Sequence, residues 1–139
     1  GKSKDRWGNT RFTLTRINTY GGTELQTDVD LPANSEIVSD ILELPDGKIL
    51  VVGSSGNSND QDFTVTRHHF DGTLDTSFAT DGVLTLGILN AAEEGHRASL
   101  QPDGKILITG FSYNGSNSDL AIARISYDGV LDATFQAIT

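Results

Sequence analysis

PDGKILVVG, running from Pro45 to Gly53, returns as PDGKILITG from Pro102 to Gly110, identical at seven of nine positions and displaced by 57 residues (102 − 45). The same displacement lays DFTVTRHHFDGTLDTSF (Asp62 to Phe78) over DLAIARISYDGVLDATF (Asp119 to Phe135), with the Asp, Arg, Asp-Gly, Leu-Asp and Phe positions in register. One shift that accounts for two separate blocks is the mark of an internal repeat. A weaker copy lies upstream, where RFTLTRINTYGGT (Arg11 to Thr23) matches at a displacement of 51 and puts Arg16 over Arg67. The 139 residues thus divide into a basic N-terminal tail or appended segment at 1–10, a partial repeat at 11–35, a repeat at 36–92, and a repeat at 93–139 truncated at its last strand.

Each unit reads as short strands joined by tight turns. Ile37, Val38, Ile41, Leu42 and Leu44 precede Asp46-Gly47, and an apolar run from Ile49 to Val52 follows it. Asp-Gly between apolar runs signals a hairpin with a type I′ turn. Gly53 to Asn59 reads as a polar loop. Phe63, Val65, Arg67 and His69 then alternate with Thr64, Thr66, His68 and Phe70 until Asp71-Gly72 turns the chain again, and a fourth strand is expected around Val83 to Ile88. The stretch Ala91 to Arg97 is the one place that suggests a helical turn. A four-stranded sheet with apolar residues on both faces must bury each face against a neighbouring unit. The fold class is therefore all-β, with about two and a half four-stranded repeats stacking as β-propeller blades. A β-sandwich is the alternative, but it gives no reason for a long, constant displacement.

Composition narrows the chemistry. There are no cysteines and no methionines, which excludes disulfides, cysteine zinc sites and thiol nucleophiles. The net charge is −9, and five of the ten basic residues (Lys2, Lys4, Arg6, Arg11 and Arg16) fall in the first sixteen positions. The remaining Lys48, Arg67, Arg97, Lys105 and Arg124 are too dispersed to track a phosphate backbone, so nucleic acid is not an expected partner. No apolar run has the length of a membrane helix. A chain opening on Gly1 instead of Met reads as a processed, excised or tagged form.

LPDGKILVVG and LQPDGKILITG, each followed by an Asp-x-x-x-x-Arg strand and by DGTLDTSF or DGVLDATF, resemble the delta-60 repeat of large secreted or surface bacterial proteins. The resemblance is specific over residues 36–88 and 93–135 and looser over 11–31, where ELQTDVDLPAN replaces the Leu-Asp and Phe of the other copies. It implies a propeller-like fold and an extracellular or cell-surface setting, and it brings no catalytic residues, cofactor or assigned activity.

The residues that could carry chemistry each have a structural counterpart reading. Arg67 and Arg124 sit at one position of one strand, with Asp75 and Asp132 eight residues on, which fits structural ion pairs on a buried face. A ring of arginines (Arg16, Arg67, Arg124) holding an anionic ligand is the functional alternative. Asn57, Asn59, Asp60 and Asp62, with Asn114, Asn117 and Asp119, form oxygen-rich loops at equivalent places in two repeats. Such oxygens suit calcium or a glycan ligand, and Asn, Ser, Gly and Asp are equally the residues of plain exposed turns. Asn114-Gly115-Ser116 is also a glycosylation acceptor motif. His68 and His69, adjacent on one strand, point to opposite faces and cannot share a metal, so no metal site is assigned. Glu93, Glu94 and His96 lack an accompanying nucleophile motif. The expected function is a non-enzymatic structural or interaction module of a secreted or cell-surface protein. A lectin-like or calcium-dependent binder is the alternative, although a sugar site usually wants an aromatic platform and the loops offer only Tyr113, with Phe111 beside it and Trp7 far away. Because about two and a half units leave edges open, the expected partners are other repeats, either in a homo-oligomer or in a larger propeller.

Overall fold

In a computed structural model, the described residues are 2–4, 10–29, 36–57, 60–87 and 92–138. Their architecture follows from one turn used repeatedly. At Leu44–Lys48 the Leu44 amide donates to the Lys48 carbonyl (2.8 Å) and the Gly47 amide to the Leu44 carbonyl (2.9 Å). Gly47 has φ +83°, whereas Asp46 does not enter the positive-φ region. This is a three-residue loop built on a type I turn with glycine in the left-handed position, and not the expected type I′ turn, which needs positive φ at two residues. Pro45 presets the first turn residue and Asp46 accepts from the Lys48 amide (3.1 Å). The same pair of backbone bonds closes the turns at 18–22, 69–73, 101–105 and 126–130.

Among the described residues the strands are β1 (Lys2–Lys4), β2 (Thr10–Ile17), β3 (Thr23–Val29), β4 (Glu36–Glu43), β5 (Ile49–Asn57), β6 (Asp60–His68), β7 (Val83–Leu86), β8 (Ala92–Leu100), β9 (Ile106–Tyr113), β10 (Ser118–Ile125) and β11 (Leu131–Ile138). They form three antiparallel sheets, ordered β1-β2-β3, β4-β5-β6-β7 and β8-β9-β10-β11. Lys2–Lys4, within the expected tail, pair with Thr10–Phe12 as an edge strand. No helix of the described residues is long and apolar enough to cross a membrane.

Two expectations are corrected. Gly53 to Asn57, expected as the start of a loop running to Asn59, is strand: β5 runs on to Asn57 and pairs with β6 through Asn57↔Asp60, and residues 58–59 lie outside the described residues. Small residues serve the strand there, because a side chain at Gly53 would collide with the Ile37 carbonyl of β4. Nor is Ala91 to Arg97 a helical turn, since Ala92–Leu100 is strand β8, with a bulge between Gly95 and Arg97. Its sequence, AEEGHRASL, lacks β-branched residues, and the strand is held by neighbours. The Gly95 amide donates to Ser54 Oγ (3.2 Å) and the Ala98 amide to Asp40 Oδ2 (2.9 Å), both across to the second sheet. The fourth strand of the second sheet ends at Leu86, two residues short of Ile88.

The core lies between the second and third sheets. Leu50, Val52, Phe63, Val65, Phe78 and Leu86 pack against Ile106, Ile108, Ala121, Ala123 and Ile125 in one buried cluster. The sheets approach most closely at glycines: a Cβ on Gly110 would lie 2.7 Å from the Phe63 ring, and one on Gly95 would lie 2.7 Å from the Gly53 carbonyl oxygen. The other face of the second sheet is buried as well, through Val51, Ser55, Thr64, Thr66 and His68. A sheet buried on both faces in a series of three is not the middle of a two-sheet sandwich.

Candidate functional site

One cluster of charges recurs in both repeats. Arg67, only 1% exposed, donates through Nε to Asp75 Oδ2 at 2.8 Å, and Asp75 is 2% exposed. Lys48 Nζ reaches the same oxygen at 2.9 Å. Asp75 Oδ1 accepts from the Ser77 amide (3.1 Å) and hydroxyl. Burial alone would raise the Asp75 pKa, but Lys48, Ser77 and Arg67 together hold it well below the usual carboxylate range. In the next repeat Arg124 Nε lies 2.9 Å from Asp132 Oδ2, with Lys105 Nζ at 3.2 Å and Thr134 in the place of Ser77. Asp132 is likewise lowered, by Thr134, Arg124 and Lys105 in that order. The structure therefore brings together both arginine–aspartate pairs singled out in the sequence. It adds Lys48 and Lys105, which sequence reasoning missed although both recur in PDGK at the 57-residue displacement.

These clusters also join one sheet to the next. Arg67 Nη1 donates to the Tyr127 carbonyl of the third sheet's turn (2.6 Å) and lies 3.5 Å from Asp128. Its guanidinium sits over the rings of Phe78 (5.0 Å) and Tyr127 (5.2 Å). The Tyr127 hydroxyl bonds to Asp46, and burial with that bond pushes the phenol up to about 12. The Ala79 amide donates to the Asp128 carbonyl (2.7 Å). The first and second sheets meet in the same manner: Arg16 stacks on Phe70 at 3.7 Å, and Thr27 Oγ1 donates to the Asp71 carbonyl at 3.4 Å. Glu24 stands eight residues after Arg16, as Asp75 does after Arg67, yet the Arg16 Nε is buried without a hydrogen-bond partner among the described residues.

The oxygen-rich segments are less alike than their sequences. In the β9–β10 connection Asn114 Oδ1 accepts from the Ser116 and Asn117 amides (3.0 and 3.1 Å), while Asn117 Nδ2 and Asn114 Nδ2 donate to Asp119 (3.2 and 3.4 Å). These groups hold their own turn. Asn57 and Asp60 face each other across the β5–β6 end, Asp62 pairs with Ser55 in the ladder, and Asn59 lies outside the described residues. Among the described residues no three His, Cys, Asp or Glu side chains gather as a metal site.

Beside that connection lies a cleft of about 460 Å³ lined by Gln61, Ala92, Glu94, Phe111, Tyr113 and Ser118. Phe111 and Tyr113, two apart on β9, share a face and are about half exposed. His96 sits edge-on to Phe111 (5.4 Å) and 3.4 Å from Glu94. Phe111, Tyr113 and Glu94 stand out in the sequence, whereas Gln61 and Ala92 join them only through tertiary packing. His68 and His69 part company as adjacent strand positions must. His68 is buried, its Nδ1–H donating to the Gly72 carbonyl (3.1 Å) and its Nε2 accepting from Thr66 (2.9 Å), and His69 is exposed. The carbonyl can only accept, which fixes that tautomer.

No curated protein and no solved structure matches the chain. A family profile described as "Domain of unknown function (DUF5122) beta-propeller" matches residues 44–78 and 101–135, the two segments that carry the Lys-Arg-Asp clusters and the turns they hold. Those matches cover half of the sequence, and the chain belongs to the DUF5122 beta-propeller family.

Proposed function

We propose that the chain is a non-enzymatic structural or interaction module, a set of delta-60-like propeller repeats carried on a secreted or cell-surface protein. The observation that supports this reading is the use of its repeated charges. In both repeats the Lys-Arg-Asp cluster holds a carboxylate far below neutral pH and engages it with two cations and a hydroxyl. A group so held cannot exchange a proton near pH 7, as general acid–base catalysis requires. The cysteine-free, acidic composition fits an extracellular setting. Labelling intact producing cells with an antibody to the chain, before and after mild surface proteolysis, tests the location. Signal on intact cells that proteolysis removes is expected, and signal only after lysis overturns it.

A second reading has its own observation, the cleft that sets Phe111 and Tyr113 beside Gln61 and Glu94. Aromatic faces with nearby amide and carboxylate groups suit a sugar ring, and the adjoining Asn114, Asn117 and Asp119 could lend oxygens to calcium. A glycan array run with and without chelator, on the natural chain and on Tyr113→Ala, separates the two. Binding lost in the variant supports the lectin-like reading, and its further loss with chelator supports calcium.

A further inference from the structure

The two joints between sheets follow one plan. Each has a socket on one sheet, made by the strand arginine and the residue at the Phe78 position, and a turn on the next sheet that seats in it. Arg16 and Thr27 receive the turn Phe70-Asp71-Gly72, and Arg67 and Phe78 receive Tyr127-Asp128-Gly129. The fit is close at the turn glycine: a Cβ on Gly72 would lie 2.8 Å from Thr27, and one on Gly129 would lie 2.8 Å from the Phe78 ring. Thr27 and Phe78 are counterparts at the displacement of 51 (78 − 27), as Arg16 and Arg67 are.

A third socket and a third turn are left over. Arg124 stacks on Phe135 at 4.4 Å and is held by Asp132 through Nε and Nη2. In the sequence Asp103 occupies the place of Asp46, whose carboxylate in the second sheet bonds to the Tyr127 phenol. Leu120 is 42% exposed on the sheet face that at Phe63, its counterpart, is fully buried. At the other end of the chain, Asn18–Gly22 is the same turn, with Gly21 at φ +83° in the place of Gly72. Among the described residues no socket seats it: Tyr20 is 96% exposed and Ile17 is 61% exposed.

We propose that the Arg124–Phe135 socket on the third sheet receives the Asn18–Gly22 turn of a second copy of this chain, giving head-to-tail association. The argument is continuity, because the open socket repeats a surface seen twice with its occupant in place, and the Asn18–Gly22 turn, the counterpart of the two seated turns, is left exposed among the described residues. The inference rests on the two joints and not on where the protein resides. A heterologous contact of this kind closes into a ring or runs on as a filament. The aromatic of the free turn stands one position later than in the other two, with Thr19 where they have Phe70 and Tyr127. Association of the natural sequence is therefore weaker than the internal joints.

The chain has no cysteine, so thiol cross-linking is clean. Thr19→Cys protein mixed with Asp103→Cys protein and a short bis-maleimide should yield a mixed dimer at least about tenfold faster than Thr19→Cys mixed with Asn114→Cys, whose thiol lies at the far end of the third sheet. Sedimentation velocity over a concentration series should show reversible association, strengthened about tenfold or more by Thr19→Tyr and weakened by Arg124→Lys, which keeps the charge and loses the planar stack. A chain that stays monomeric at every concentration overturns the proposal. So does cross-linking no faster than the control, or an Asp103→Cys protein that links chiefly to itself, which would mean that two third sheets meet face to face.

Discussion

Asp75 shows how much can depend on one carboxylate. Removing it leaves Arg67 buried beside an unpaired Lys48, and breaking a buried pair from one side costs about 3 to 5 kcal/mol. Asp75→Ala should lose stability of that order in chemical denaturation, whereas Thr76→Ala, an exposed neighbour, should stay within about 0.5 kcal/mol. Asp132→Ala should fall between them, because Arg124 and Asp132 are 22% and 15% exposed and water takes up part of the loss. If Asp75→Ala and Thr76→Ala melt alike, the cluster is not what holds this region. His68 and the lowered carboxylates set the pH response. The His68 pKa is lowered by burial, only partly offset by Gly72, so unfolding releases a site that binds protons more readily. Its contribution to stability is present above the unfolded value of about 6.5 and is lost as pH falls through the folded value. Asp75 is also lowered, and its contribution is lost only below about pH 4. Stability measured against pH should therefore fall in two steps on acidification, and His68→Gln should remove the upper step alone.

At the level of strands and turns, identical backbones carry different loads. Gly104 and Gly129 both have φ +85° in the same three-residue loop. A methyl on Gly104 meets nothing within 4 Å, while one on Gly129 meets the Phe78 ring and the Ala79 nitrogen at 2.8 to 2.9 Å. Gly104→Ala should cost about 1 to 2 kcal/mol, the left-handed backbone penalty alone, and Gly129→Ala should cost measurably more in the same melt. Equal costs would mean that the turn does not seat against the second sheet. The hairpins themselves were legible, since Asp-Gly between apolar runs marks them whichever turn type results. What misled was polarity. Gly53 to Asn57 and Ala92 to Arg97 read as a loop and a helical turn because their residues are small or charged, yet both are strands. Their smallness is what close packing of β4, β5 and β8 demands, and a single strand's composition does not reveal its neighbours.

Across the whole molecule the second and third sheets share one core, and Phe63 is its pivot, fully buried and facing Gly110 of the third sheet. Phe63→Ala should cost about 3 to 5 kcal/mol, and hydrogen exchange should show protection falling in β9 and β10 as well as in β5 and β6. Loss confined to the second sheet would mean that the sheets fold independently. The sequence by itself determined the repeat, its length, the antiparallel hairpins and the pairing of Arg67 with Asp75 and Arg124 with Asp132, because each depends on residues close in the chain or on one constant displacement. Tertiary structure alone decided the fate of the segment after the Asp71-Gly72 and Asp128-Gly129 turns. Residues 74–81 follow a turned path, with the Ala79 amide bound to the Asp128 carbonyl of the next sheet, and β7 then pairs with β6. Their counterparts at 131–138 form β11 and pair with β10 directly. Similar sequences take two backbone paths because an unpaired amide bonds to whichever carbonyl is within reach, and only the packing of one sheet on another places that carbonyl.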